Sequence, residues 1–318
     1  MTNHKSPSVG VVVITHKARH HLPHCLPPLL QSAIHPRILV VNSSSNDGTV
    51  PLAEKLGAEV LVIPRSEFNH GATRERARRY LATDIVVMIT PDAYPTGPEM
   101  LERLAQPIID EKASIAYARQ LPHHNANIFE SFSREFNYPT TSHIRSIKDA
   151  SKYGAYTFFC SDSCAAYRNA ALDEIGGFPA VLLGEDTFVV AQLLHRGHQI
   201  AYVADACVQH SHRYTLMQEF QHYFDTGLVR KQYETLLRIG GADEKRGTTY
   251  ARALIHRIAK EKPLLLPYSF FHLAAKFLGY RIGRLCVGAP LFLKKVFSQQ
   301  DFYWTSKETH ENRSHRIR

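Results

Sequence analysis

The chain has 318 residues, 44% of them hydrophobic and 21% charged, a globular composition that excludes a disordered or fibrous polypeptide. Its formal charge of +9 is unevenly placed: residues 1–225 hold 20 Lys+Arg against 22 Asp+Glu, a net of −2, and residues 226–318 hold 18 against 7, a net of +11. No run of about 18 apolar residues occurs, which argues against a membrane-spanning chain, and five irregularly spaced cysteines point to reduced thiols in a cytoplasmic protein rather than a disulfide framework.

In chain order, "VGVVVIT" is an uninterrupted β-branched run, the pattern of a strand buried on both faces. "HLPHCLPPLLQSA" reads as a proline-interrupted helix, and "RILVVNSSSNDGT" as a second buried strand entering a polar loop. "TVPLAEKLGA" predicts a helix stopped at Gly57, "EVLVIP" a third strand, "HGATRERARRYLAT" a helix and "DIVVMIT" a fourth strand ending at Pro91-Asp92. Strands alternating with short helices imply an α/β fold with a mostly parallel sheet, helices on both faces and right-handed crossovers. Further on, "GPEMLERLAQPIID" reads as a helix and "SIAYARQLP" as a strand; residues 123–156, rich in His, Asn, Ser and Tyr, read as a long loop or lid. "FFCSDSCAAYRNAALDEIGGFP" reads as strand then helix, "GEDTFVVAQLLHRGH" as a helix and "QIAYVADACVQHSH" as a strand leading into a histidine pair. From about 216 the chain reads as helices, with a basic linker at 238–249.

In open α/β sheets ligands bind beyond the carboxyl ends of the strands. Those ends here carry Thr15 and His16, Asn42 to Asp47, Asp92, and His210 and His212. Asp92 fits either a turn-forming acid before Pro95 or a ligand for Mg²⁺ or Mn²⁺ on a diphosphate. His210 and His212 lie one pleat apart and fit either a metal or phosphate site or a solvated loop. Glu185 and Asp186 open a helix after Gly184; they either complement the helix dipole or repel each other so that one serves as a general base. Arg74, in the first turn of a basic helix, is either part of a solvated face or a phosphate contact. Cys160 and Cys164 have poor zinc spacing, and no P-loop, dinucleotide fingerprint or nucleophile elbow is present.

The ordered set "VVVITHKARHHL", "VVNSSSNDGT", "FNHGATRE", "ITPDAYP" and "GGFP" followed by "GEDTFVVAQLLHRGHQIAYVADACVQHSH" closely resembles the inverting family 2 glycosyltransferases of the GT-A fold, over roughly residues 8–300. "FNHGATRE", "SDSCAAYRNAALDEIGGFP" and "HSHRYTLMQEFQHYFDTG" are similar to the rhamnosyltransferases of bacterial O-antigen assembly. The resemblance implies a catalytic GT-A domain over 1–225, with a donor half at about 8–95 and an acceptor half at about 96–225, followed by a basic helical extension at 226–318. It implies transfer of a sugar, L-rhamnose from dTDP-rhamnose, to a hydroxyl of a polysaccharide or lipid-linked oligosaccharide. Thr15, His16, Asn42, Asp47, His70, Gly71 and Arg74 would line the nucleotide-sugar pocket. Asp92 would carry the divalent cation with His210, His212 being the alternative ligand. Asp186 would be the base and Glu185 its support. Two positions depart from the family pattern: Asn42 replaces the usual Asp, and Asp92 stands alone between Pro91 and Ala93, so a weakly held Mg²⁺ bound mostly through the nucleotide is expected.

A UDP-sugar donor on the same fold and a catalytically weak sugar-nucleotide-binding protein are the competing readings; an idle protein would be expected to lose Asp92 or the Glu185-Asp186 pair. A nucleotidyltransferase would need a glycine-rich loop after the first strand, where "THKARHHLPH" has no glycine. The basic C-terminal region carries no nucleic-acid motif. Its Phe, Leu, Trp and Tyr mixed with Lys and Arg match either a helix pair covering the core or helices on an anionic membrane surface, peripheral on the inner face of the plasma membrane.

Overall fold

Val11, Val12 and Val13 are fully buried in the first strand, and they divide between two cores: Val12 joins the cluster on one face of a sheet, Val11 and Val13 the cluster on the other. That alternation places the strand in the middle of a three-layer fold. The computed structural model describes residues 6–241 and 243–305. The donor half runs β1 (Val9–Thr15), α1 (Leu22–Leu30), β2 (Arg37–Asn42), α2 (Thr49–Leu56), β3 (Glu59–Val62), α3 (His70–Leu81) and β4 (Ile85–Ile89). All three pairings within it are parallel, in the order β3-β2-β1-β4.

Beyond β4 come β5 (Tyr94–Pro95), α4 (Met100–Ile109), β6 (Ile115–Leu121), α5 (Ile128–Asn137), β7 (His143–Arg145), α6 (Ala150–Tyr153), β8 (Cys164–Arg168), α7 (Asn169–Glu174), α8 (Glu185–His195) and β9 (Ile200–Gln209). Here the sheet is mixed. β8 lies antiparallel between β4 and β6, β9 runs parallel to β6, and β5 and β7 are both antiparallel to β9. The strand expected within "FFCSDSCAAYR" falls on its second half, where Cys164, Ala165, Ala166 and Tyr167 are buried. Residues 123–156 are not a long loop. Asn127 accepts from the backbone N–H groups of Phe129 and Glu130, and Glu130 returns the bond, a capping box that starts α5. Phe129 and Phe132 then pack with Leu254 and Ile258 from more than a hundred residues downstream.

The C-terminal part comprises α9 (Leu216–Gln232), α10 (Glu234–Leu237), α11 (Asp243–Glu261), α12 (Leu266–Leu285), α13 (Leu291–Phe297) and α14 (Asp301–Thr305). The described residues of the expected 238–249 linker form a 3-10 turn, Arg238–Gly240, and the start of α11. Position 225 lies inside α9, so the change in charge does not coincide with the end of an element. α9 and α12 approach until backbones touch. A Cβ on Gly279 would sit 2.3 Å from the Phe220 carbonyl oxygen, and one on Gly283 2.0 Å from that of Phe224. No helix among the described residues is long and apolar enough to cross a membrane.

Candidate active site

The short β5 organises the first half of the site. It pairs Tyr94 with Gln209 at the end of β9, which sets His210 beside Asp92 although the two are 118 positions apart. His210 Nε2 lies 3.5 Å, and His212 Nδ1 3.7 Å, from the same Asp92 Oδ2. His210 and His212 are therefore not alternatives; both meet the carboxylate. The three ligand atoms lie within 4.8 Å of one another, the one such group found among the described residues. Cys160 and Cys164 stand apart from it, against the Tyr167 hydroxyl and Met100 Sδ respectively, and all five cysteines are free thiols.

Hydrogen bonds fix the state of this cluster. Gln120 Nε2 donates to Ser161 Oγ at 2.9 Å, which turns Gln120 Oε1 toward His210 Nδ1, also at 2.9 Å. Nδ1 must then carry the proton, and Nε2 presents a lone pair toward Asp92. Burial lowers the pKa of His210, and lowers that of His212 to about 3, so both rings are neutral at pH 7. Burial alone would raise Asp92, and any positive charge taken up by the two imidazoles outweighs that and pulls its pKa below the usual carboxylate range. A carboxylate with two imidazoles within reach offers a donor set that could hold a divalent cation. The set suits a first-row transition ion better than Mg²⁺, which favours oxygen ligands.

The second half of the site is an acidic cluster at the N-terminus of α8, which follows Gly184 in the left-handed region (φ +76°). Glu185 is buried and accepts from Arg74 Nη1. Arg74 Nε lies 3.0 Å from Asp162 Oδ2, and the Tyr167 hydroxyl donates to Asp162 Oδ1 at 2.6 Å. The Asp162 N–H in turn donates to Asp186 Oδ2 at 3.2 Å. One guanidinium thus pairs with two carboxyls, and the Asp162 backbone holds the third. Burial and the Glu185 charge raise Asp186 to about 6, and burial, against the pull of Arg74, raises Asp162 to about 8. Glu185 goes the other way: burial would raise it, but Arg74 and then His70 hold it low. The arrangement leaves Asp186 as the ionised member whose proton affinity suits a base near neutral pH.

Both halves open on one cavity of about 1500 Å³, whose wall includes His70, Arg74, Glu185, Asp186, His210 and His212. Asp92 reaches it through its two imidazole neighbours. Arg74, expected beside a diphosphate, instead has its charge taken up by Glu185 and Asp162. Gly71 is a packing residue: a Cβ there would lie 1.8 Å from the Pro179 carbonyl oxygen. Thr15, His16, Asn42 and Asp47 are not on the cavity wall. Asn42 donates to Thr15 Oγ1 and Ser45 Oγ and accepts from the Ser45 N–H, which ties the ends of β1 and β2 together. Asp47 accepts from Ser45, Thr49 and the Arg19 N–H; partial desolvation would raise its carboxyl, but these bonds outweigh it and hold the carboxyl low. His16 is exposed, with Nδ1 3.2 Å from the Ser43 carbonyl oxygen.

Three residues of the site escaped the sequence reading. Gln120, next to last in β6, has no motif around it. Asp162 lies in "CSDSC", whose acid stood in plain view but inside a presumed strand. Arg134, on α5, lines the cavity from a segment read as loop; its Nε is shut off from solvent without a hydrogen-bond partner, and its charge helps lower His210 and His212.

Known proteins are similar to this chain in sequence or in fold. The model of the family described as glycosyltransferase-like family 2 matches residues 7–224. The O-antigen chain rhamnosyltransferase RfbN of Salmonella typhimurium is 34% identical over 302 residues, covering 94% of this chain and 96% of the relative. The O-antigen chain rhamnosyltransferase WbaN of Salmonella anatum is 37% identical over 272 residues, covering 85% and 86%. Among solved structures, a mannosyltransferase from Pyrobaculum calidifontis in complex with GDP-Man and Mn²⁺ superposes with a TM-score of 0.58 at 14% identity, covering 90% of this chain and 88% of that one. Residues 1–349 of TarS from S. aureus, in complex with UDP-GlcNAc, give 0.53 at 14%, covering 88% and 91%. At such identities the two structures share the fold.

Proposed function

This chain belongs to the glycosyltransferase-like family 2, and on that premise we propose that it transfers L-rhamnose from dTDP-rhamnose, with inversion, to a hydroxyl of a lipid-linked oligosaccharide in O-antigen-type assembly. The observation that carries the reading is the shared cavity wall, with a carboxyl poised to take a proton on one side and a two-histidine, one-carboxylate cluster on the other. The rhamnosyl donor is supported by the two rhamnosyltransferase relatives, each at least 34% identical along most of both chains.

Asp186 accepts the proton of the acceptor hydroxyl. Its pKa of about 6 leaves it ionised at neutral pH yet more basic than an ordinary Asp. Glu185, Arg74 and Asp162 hold it in place, with the Asp162 N–H fixing one oxygen and the Thr187 N–H the other. On the donor side, Asp92, His210 and His212 would hold a divalent cation, Mn²⁺ in preference to Mg²⁺, which supplies positive charge to the departing diphosphate. Gln120 keeps His210 in the ligating tautomer. Arg134 adds a second, permanent cation on the same wall, the role the sequence had suggested for Arg74.

The test is nucleoside diphosphate release from a panel of dTDP-rhamnose, UDP-sugars and GDP-mannose, with a lipid-linked acceptor and with Mn²⁺ or Mg²⁺. The expected result is turnover of dTDP-rhamnose, faster with Mn²⁺, and its loss in Asp186→Asn and Asp92→Ala. Preference for a UDP-sugar would overturn the donor assignment, and full transfer by Asp186→Asn would overturn the base.

A further inference from the structure

α12 buries one face and bares the other. Ser269, His272, Gly279 and Gly283 are buried on its inner side. Its outer side, with the turn before it, carries Leu264, Phe270, Phe271, Phe277, Leu278 and Leu285, and Leu264, Phe271 and Leu285 are 94%, 65% and 83% exposed. Phe292 and Val296 continue the apolar surface onto α13. A surface helix of a soluble domain ordinarily presents polar residues outward, and a run of exposed phenylalanines and leucines along about 30 Å of helix marks an interaction face.

The charge around this face identifies its occupant. Between residues 262 and 297 there are six Lys and Arg (Lys262, Lys276, Arg281, Arg284, Lys294 and Lys295) and no Asp or Glu. Lys262, Arg281 and Lys295 are exposed beside this strip, whereas Lys276 turns inward to Glu219 and Arg284 pairs with Glu234; the resulting net positive border complements a surface that is apolar beneath and negative on top. A bilayer containing anionic lipid has that layering: acyl chains receive the aromatic side chains, and headgroups meet the cations. No helix among the described residues is long and apolar enough to cross a membrane, so such a surface would be met from the side. A second copy of the same strip would bring like charges together, which argues against self-association.

We propose that the outer face of α12, extended by Phe292 and Val296, docks the protein on an anionic membrane surface and presents the cavity mouth to it. The same helix supplies Tyr268, His272 and Lys276 to the cavity wall, so a protein seated on this face holds the cavity entrance at the headgroup layer. The proposal is independent of the donor and metal assignments and stands or falls separately from them.

The experiment is co-sedimentation of the full chain with vesicles of phosphatidylcholine alone and of phosphatidylcholine with phosphatidylglycerol, at low and high salt. Binding is expected to the anionic vesicles and to weaken with salt. The double variant Phe270→Ser/Phe271→Ser is expected to lose at least tenfold in vesicle affinity with an unchanged thermal midpoint, since neither side chain is buried. Lys295→Glu is expected to lose affinity for the anionic vesicles. Equal recovery on neutral and anionic vesicles, or wild-type affinity in the Phe270/Phe271 variant, would overturn the proposal. So would a solution dimer that this variant dissolves, without vesicle binding by the wild type, because the face would then join copies of the chain.

Discussion

Arg74→Gln tests how the acidic cluster is balanced. At 3.0 Å from Asp162 Oδ2, the guanidinium attracts that carboxylate, when it is ionised, by about 5–6 kcal/mol at an effective dielectric of about 20, before desolvation is subtracted. Removing one partner of a buried ion pair costs about 3–5 kcal/mol, a large part of a typical folding free energy of about 5–15 kcal/mol. The pH dependence is the sharper signature. Arg74 lowers the pKa of Asp162, Glu185 and Asp186 alike, and without it all three rise. The folded variant then holds protons that the unfolded chain has released, so its stability falls as pH rises through the raised values. The excess loss relative to wild type is small near pH 5 and grows toward pH 8, by about 1.4 kcal/mol per pH unit for each extra proton held. Urea unfolding of both proteins at pH 5 and pH 8 measures it, and the acidic limb of turnover should move above pH 6 in the variant. The same loss of stability at both pH values would refute the idea that Arg74 lowers the proton affinity of these carboxyls.

Gln120→Leu releases the Nδ1 proton of His210 and should weaken Mn²⁺ binding about 10–100-fold, read by titration calorimetry without any substrate. Arg134→Ala should raise the KM for the nucleotide sugar by roughly 10–100-fold, the worth of a hydrogen bond to a charged group, with a smaller change in kcat. Gly71→Ala should destabilise the fold by about 1–3 kcal/mol through overpacking against Pro179, with the remaining folded protein fully active; a loss of activity at unchanged stability would return Gly71 to the binding site.

The donor half was legible because its signal is local. Uninterrupted apolar runs, each followed by a helix pattern, read as parallel strands, and Gly57, in the left-handed region, stops α2 as the sequence suggests. The antiparallel β8 was harder to read, since a buried strand looks the same in either direction. α5 was hidden for a different reason. Its apolar residues are phenylalanines among His, Asn and Ser, and the surface they cover is made by α11, which no local window contains.

The site divides along the same line. Glu185 and Asp186 announced themselves by adjacency, and His210 and His212 by their spacing. What joins His210 to Asp92 is the pairing of Tyr94 with Gln209 across two-residue β5, a contact too short to leave a pattern. Arg74 shows the opposite hazard: an arginine in the first turn of a helix suits a phosphate so well that its partners elsewhere go unconsidered. Burial decides between the two roles. A fully desolvated guanidinium within reach of Glu185 and Asp162 cannot also be the open cation of the donor pocket. Arg134 lies on the same cavity wall with a buried Nε that has no hydrogen-bond partner and, unlike Arg74, with no carboxylate paired to it among the described ion pairs. Arg74 acts through the carboxyls it orders, which is why its loss should be felt first in the pH profile of Asp186 and only then in the affinity for the donor.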